Sequence, residues 1–299
     1  MATVRPGPRV ATAPVNWNND DVPDIRPHLA YAELLREMRS AGYTATEFGS
    51  ALPLDPAVSG PALRREGLEM VSAFCALPLR DPALLTNHGA RLDAVAGLLQ
   101  ALGSDLLLLS DAIQAERSAW AGRAFAPGAP RLDAGERAVF LANVHAVCRR
   151  LAAIGMRVAF HHHAATYVEA PDEVRWLMDE SDPALLGLCL DTGHLTYGGG
   201  DAAAFARAYA PRVRHVHLKD VDAGKLERAR AEGWSFEQAL RAYLFPELGQ
   251  GIVDFPGVLE ALRAVGYDGW LVVEQDTQEG SALEAARRNR RYLSEQFGL

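Results

Sequence analysis

The sequence predicts an α/β fold, an eight-stranded parallel barrel of the (β/α)₈ class, on three observations. Eight short apolar runs alternate with eight amphipathic segments along 299 residues. Two of the runs, Leu106–Leu109 and Trp270–Val273, are apolar throughout, as in a strand buried on both faces of a parallel sheet. Metal-ligating side chains gather at the ends of the later runs, where barrels of this kind build their sites. An open doubly wound sheet is the alternative, but no glycine-rich dinucleotide motif follows any run.

In chain order the strand runs are Val10–Val15, Thr44–Phe48, Met70–Ala76, Asp105–Leu109, Arg157–His161, Leu186–Leu190, Val213–Leu218 and Trp270–Glu274. The helical patterns between them are Tyr31–Ser40, a short one at Pro61–Glu66, Asn87–Leu102, Ala134–Ala153, Pro171–Met178, Ala202–Tyr209, Pro256–Val265 and Ser281–Phe297. Gly42, Gly155 and Gly266 each stop a helix shortly before the next strand. Asp254-Phe255-Pro256 sets a cap just ahead of a helix-starting proline. The segment Asp222–Leu248 is too long for a plain loop and its pattern is helical. It reads as a helical insertion over the barrel mouth, between strand seven and helix seven. With no repeat, low-complexity stretch or linker, residues 1–299 read as one domain.

Hydrophobic residues make up 49% of the chain and charged residues 23%, an ordinary globular balance. A net charge of −8 argues against nucleic-acid and anionic-membrane partners and favours a small neutral ligand. Cys75, Cys148 and Cys189 lack C-x-x-C spacing and are expected as buried free thiols in a reducing cytoplasm. Met1–Arg9 holds no apolar stretch suited to a signal peptide, and no run approaches the roughly 20 apolar residues that span a bilayer. A cytoplasmic protein is expected.

Six of the nine histidines fall between positions 161 and 217, in or just after strand ends. Strand five ends in His161, within the triplet His161-His162-His163. Strand six ends in Asp191, with His194 three residues on. Strand seven places His215 and His217 on one face, before Lys219 and Asp220, and strand eight ends in Glu274. His161, Asp191, His217 and Glu274, from four successive strands, could converge on one point. Two imidazoles and two carboxylates suit Mn²⁺, Co²⁺, Fe²⁺ or Zn²⁺, and the lack of thiolates counts against a structural zinc. Singly, Asp191 reads equally as a helix cap, an inward histidine as a core group, and Glu274 as an ion-pair partner. Four at consecutive strand ends are hard to explain separately.

These residues resemble the xylose-isomerase-like TIM barrels of sugar epimerases, isomerases and dehydratases. Within that group the chain is most similar to the myo-inosose-2 dehydratases, which act on 2-keto-myo-inositol. The likeness spans nearly the whole chain: "APVNWNNDD" at 13–21, "GYTATEFG" at 42–49, "HHHAAT" at 161–166, "LDTGHLTYGGGD" at 190–201, "HVHLKDV" at 215–221 and "GQGIVDFPGVLEAL" at 249–262. The inserted "RARAEGWSFEQAL" at 228–240 looks like that subfamily's own. Epimerases of the group usually end strand five in a glutamate that ligates the metal and shares the acid–base work. Here His161 stands there, so the implied fourth ligand is imidazole and one carboxylate of the pair is gone. By alternation His163 stays near the substrate while His162 points toward the helices.

The resemblance implies a hydro-lyase of inositol catabolism that turns 2-keto-myo-inositol into a trihydroxycyclohexane-dione. The steps would be α-proton abstraction, a metal-stabilised enediolate and loss of a β-hydroxyl, with Mn²⁺ or Co²⁺ foremost and Zn²⁺ or Fe²⁺ compatible. By analogy Glu274 is the base. His163 and His194 are candidates for the acid, and Lys219 for holding a substrate oxygen. Glu47 could orient substrate or a metal-bound water, or form a structural ion pair. Asn16, Trp17 and Asp20 should line the mouth, with Trp17 offering a ring face to a cyclic polyol. Asp220 reads as a cap, and Gly198–Gly200 as a hinge or a turn. The rival readings are an epimerase, an isomerase, or an enzyme of 3-keto-glycoside β-elimination. Less favoured are a non-catalytic polyol-binding barrel and a metal-dependent endonuclease. A homo-oligomer stays open, since the apolar residues of Trp234–Phe245 could cover the site or pack on a second subunit.

Overall fold

The computed structural model describes residues 7–299. Its elements, in chain order, are β1 Arg9–Thr12, α1 Tyr31–Ser40, β2 Ala45–Phe48, α2 Pro56–Glu66, β3 Glu69–Leu77, α3 Leu84–Ala101 and β4 Leu106–Asp111. There follow α4 Ala115–Ser118, α5 Ala134–Ala152, β5 Arg157–His161, α6 Pro171–Glu180, β6 Leu186–Asp191, α7 Thr192–Tyr197 and α8 Ala202–Tyr209. The chain ends with β7 Val213–Leu218, α9 Ala223–Glu232, α10 Phe236–Arg241, α11 Phe255–Ala264, β8 Trp270–Val273 and α12 Ala282–Phe297. All eight strands are parallel and pair in sequence order, and β8 closes on β1, so the sheet is a barrel without edges.

Side-chain alternation sorts the core into layers. One large apolar cluster lies between strands and helices, with Leu107 and Leu109 of β4 meeting Phe140 and Val144 of α5. The alternate positions form two smaller clusters that face the barrel axis: Ala11, Ala45, Val71 and Val272, and Leu106, Leu108, Ala159 and Cys189. A further cluster sits apart from these. Phe236, Ala239, Leu240, Leu244 and Phe245 of the 222–248 segment pack on Ala164, Ala165, Tyr197 and Val221. The expected insertion is thus two helices, α9 and α10, with a small core of its own above the strand ends.

Helix ends follow the caps in the sequence. Asp254 accepts Gly257 N–H, with proline in the first turn behind it, and Gly42, Gly155 and Gly266 all take positive φ. Several boundaries differ from expectation, two of them for a clear local reason. The second helix begins at Pro56, capped by Asp55, so Pro61 lies inside the helix instead of starting it. The first strand stops at Thr12, because Pro14–Asn16 turns into a single 3₁₀ turn. All three cysteines are buried and free. Among the described residues no helix is long and apolar enough to cross a membrane. The expectation for the leader falls on Met1–Arg9, of which residues 1–6 lie outside the described residues.

Candidate active site

The inward positions of β5, β6 and β7 run Ala159–His161, Cys189–Asp191 and His215–His217, and the upper member of each pair sits at the strand's C-terminal end. Strand register brings them side by side. His161 lies opposite Cys189, Asp191 opposite His217, and His217 opposite Val272, two residues before Glu274. One donor atom from each of His161, Asp191, His217 and Glu274 falls within 4.8 Å of the others. Asp191 Oδ2 stands 3.5 Å from His161 Nε2 and 3.6 Å from His217 Nδ1, and Glu274 Oε2 lies 3.2 Å from the same Nδ1.

Three of these atoms, His161 Nε2, Asp191 Oδ2 and His217 Nδ1, are buried without a hydrogen-bond partner. Leaving even one such atom unpaired is costly, so three facing one point require a shared partner. Their charge states suit a cation. Burial pushes His161 down to about 4, so it is neutral at pH 7. Burial opposes charge on the carboxylates, yet His217 and Lys219 hold Glu274 at about 2 and Lys219 holds Asp191 well below its ordinary range. These carboxylates in turn raise His217 well above its ordinary value, so a divalent ion bound here would displace its proton. Neutral imidazole beside ionised carboxylate is the form that binds a divalent ion.

The surrounding residues orient this set. Asp191 divides its carboxylate, with Oδ1 capping α7 through His194 N–H at 2.7 Å and Oδ2 facing the site. The cap and ligand readings of Asp191 are therefore compatible. Glu47 Oε1 accepts from His217 Nε2 at 3.1 Å, His215 Nε2 at 2.7 Å and Ser72 Oγ at 2.7 Å. Lys219 Nζ donates to Asp276 Oδ1 at 2.6 Å and lies 3.1 Å from Glu274 Oε2 and 3.2 Å from His194 Nε2. Its stem crosses Gly193, where a Cβ would come within 2.5 Å of it, so "DTGH" needs glycine there. Asp220 ties down the loop before α11, accepting from Gly249, Gly251 and Val253. Gly198 closes α7 and Asp201 caps α8, so the glycine triplet is a turn between helices.

Above the ligands a cavity of about 650 Å³ opens at the C-terminal ends of the strands. Asp20, Glu47, His161, His163, His217, Lys219 and Glu274 line it, as do Phe48, Leu52 and Phe74 on the β2–β3 side. Phe236 covers the opposite side, with its ring 5.3 Å from His163 and 5.8 Å from His194. His162 is buried on the other face of the chain and accepts Asp191 N–H.

Two of the three expected mouth residues, and one candidate acid, stand elsewhere. Trp17 is buried in the main core, its indole N–H donated to Glu37 on α1, so its ring meets no ligand. Asn16 is saturated, donating to Thr12 Oγ1 and Val273 O and accepting from Gln275 N–H. His194 lies behind His163, ring centroids 4.0 Å apart. Burial, reinforced by Lys219, holds it well below its ordinary pKa, which favours His163 over it as the proton donor. Two cavity residues escaped the sequence reading. Phe74 supplies the aromatic face expected of Trp17, edge-on to His161 at 5.3 Å. Asp276 shares the alternation of Glu274, a signal that was available.

The profile of the xylose isomerase-like TIM barrel family matches residues 35–296. The inosose dehydratase of Geobacillus thermodenitrificans (strain NG80-2) is 32% identical over 297 residues, covering 97% of this chain and 98% of its own. The rhizopine catabolism protein MocC of Rhizobium meliloti is 34% identical over 288 residues, covering 96% of this chain and 87% of its own. Among solved structures, the probable 3-DHS dehydratase AsbF of Bacillus anthracis superposes with a TM-score of 0.73 at 14% identity, covering 96% of this chain and 98% of that one.

Proposed function

The chain belongs to the inosose dehydratase family of xylose isomerase-like TIM barrels and is a hydro-lyase, and from that premise we propose that it removes water from 2-keto-myo-inositol, giving a trihydroxycyclohexane-dione in inositol catabolism. The observation that carries the reading is the trio of unpartnered buried donors beside Glu274 on the floor of the cavity. His161, Asp191, His217 and Glu274 would hold a divalent ion, for which we favour Mn²⁺ or Co²⁺. When bound, such an ion supplies Lewis-acid polarisation of a ketone oxygen, which acidifies the adjacent C–H.

The chain's own groups divide the remaining work. Glu274, ionised at neutral pH, takes the α-proton; a carboxylate held this low is a weak base and needs an already acidified C–H. His163 is the group we assign as proton donor to the departing β-hydroxyl. It lines the cavity, and its Nδ1 donates to Ala164 O at 2.8 Å, which leaves Nε2 as the exchanging position. Lys219 keeps the carboxylates of Glu274 and Asp276 in place at the cavity wall, where it can also meet a substrate oxygen. Phe236 and Phe245 shield this corner from water. The three buried thiols suit a reducing compartment, and the cytoplasm is where we place the reaction.

The test is reconstitution. Chelated protein receives Mn²⁺ or Co²⁺ separately and then 2-keto-myo-inositol, and the ultraviolet absorbance of an enolised dione is followed. Metal-dependent growth of that absorbance is the expected result. Bound metal with no dione would remove this substrate and turn the search to other keto-sugars.

A further inference from the structure

Asp276 lies outside the ligand set, and the reaction above gives it no task. It is one of the residues lining the cavity and is 6% exposed. Its two carboxylate oxygens are in unlike situations. Oδ1 receives Lys219 Nζ at 2.6 Å, while Oδ2 is buried with no hydrogen-bond partner. The backbone around it is pinned on three sides. Asn19 Nδ2 donates to Asp276 O at 2.9 Å, Gln275 N–H to Asn16 Oδ1 at 2.8 Å, and Thr277 Oγ1 to Leu240 O at 2.6 Å. The backbone that carries the carboxylate is therefore held in place beside the cavity. The Lys219 ammonium that holds Oδ1 also lies 3.1 Å from Glu274 Oε2 and 3.2 Å from His194 Nε2.

A buried carboxylate oxygen accepts hydrogen bonds and nothing else, and leaving it unpaired is costly. The cavity it borders is where a ligand rich in donors would lie. We infer that Asp276 is the specificity residue of this site, with Oδ2 accepting a hydrogen bond from one ring hydroxyl of a cyclic keto-polyol. This rests on the substrate class proposed above and deepens it. Such a bond is made in the ground state and the transition state alike, so it acts on affinity more than on the chemical step. A hydroxyl on a charged acceptor is worth about 10- to 100-fold in affinity. The site should reject the one analogue that lacks that hydroxyl.

The experiment uses metal-loaded wild type, Asp276→Asn and Asp276→Ala. Calorimetry reads the binding of 2-keto-myo-inositol and each of its mono-deoxy analogues, alongside kcat, KM and metal content. Wild type should bind one analogue about 10- to 100-fold more weakly than the parent. Asp276→Ala should bind that analogue and the parent equally, with KM raised more than kcat is lowered and the metal retained. A merely structural Asp276 would weaken all analogues together and leave the discrimination intact, which would overturn the inference. So would wild-type affinity in Asp276→Asn, the variant that keeps size and shape. Wild type that binds the polyols without turnover would remove the hydro-lyase reading of this substrate, and the analogue series would still decide Asp276. Wild type that binds none of them overturns both.

Discussion

His217 donates its Nε2 hydrogen to Glu47 Oε1 across 3.1 Å, and this bond decides what its other nitrogen can do. With a proton held on Nε2, Nδ1 is the nitrogen turned toward Asp191 Oδ2 and Glu274 Oε2. The carboxylates around it raise His217 well above its ordinary pKa, so the proton on Nδ1 is the one a bound cation would displace. Glu47 is itself fixed by Ser72 and His215, so the orientation of a ligand on β7 is set by β2 and β3 across the barrel. Of the two roles the sequence left open for Glu47, the geometry shows the ion pair, made with His215 and His217 at the edge of the cavity. It acts through His217.

Replacing Glu47 with alanine should therefore weaken metal binding about 10- to 100-fold without touching a ligand. Chelator competition measures the affinity, and circular dichroism checks that the barrel persists. Unchanged affinity would mean that something other than Glu47 sets the tautomer of His217.

Asp191 carries two duties that two substitutions separate. Asp191→Asn keeps an oxygen for the cap on His194 N–H but loses the charge that faces the site. Asp191→Ala loses both, and the lost cap costs about 1 kcal/mol. Both variants should lose metal and activity, as should His217→Ala, but only Asp191→Ala should show the added fall in urea stability. Equal stabilities would show that the cap contributes nothing there. Full turnover with metal retained in either would sink the ligand set.

The ligand set was legible because each member lies at the C-terminal end of its own strand or just beyond it, and runs such as Arg157–His161 and Val213–Leu218 have the bounds the sequence suggested. What escaped depended on partners distant in sequence. Nothing near Trp17 announces Glu37 as the acceptor that draws its ring into the core, and Asn16 is satisfied by residues more than 250 positions away. Pro61 drew attention from Asp55-Pro56, the cap and first-turn proline that start α2. Asp276 lies past the end of β8, where the strand's alternation was no longer followed.

Phe236 anchors the insertion to the site. It is buried in the small core above the barrel, against Phe245 and the rings of His163 and His194. Truncation to alanine should cost about 3 kcal/mol, and the loss should fall on α9 and α10, whose core is separate from that of the barrel. Hydrogen exchange should rise across 222–248 while the strands stay protected, and turnover should fall as His163 loses its cover. Uniform deprotection of the strands as well would show that insertion and barrel unfold as one unit.

Glu169 makes the stability of the mouth depend on pH. Its two carboxylate oxygens accept Gly122 N–H at 2.6 Å and Ala165 N–H at 2.7 Å, joining the loop before α5 to the loop after β5. Ala165 takes a positive φ of 62°, a conformation costly for alanine, so this tie also holds a strained residue. Arg117, Glu173, Tyr197 and Arg230 are the charged and titratable neighbours. Burial is the strongest influence and pushes Glu169 up to about 7. The folded protein then holds a proton between about pH 4.5 and 7 that the unfolded chain has released. That contribution is complete below the window and is lost as pH rises through it. Glu169→Gln cannot titrate at this position, so comparing it with wild type cancels the other groups. Urea melts should show wild type losing about 2.5 kcal/mol of stability relative to Glu169→Gln from pH 5 to pH 8. A difference that stays constant, or moves in favour of wild type as pH rises, would show that Glu169 is already ionised at pH 5 and that the two backbone donors outweigh its burial.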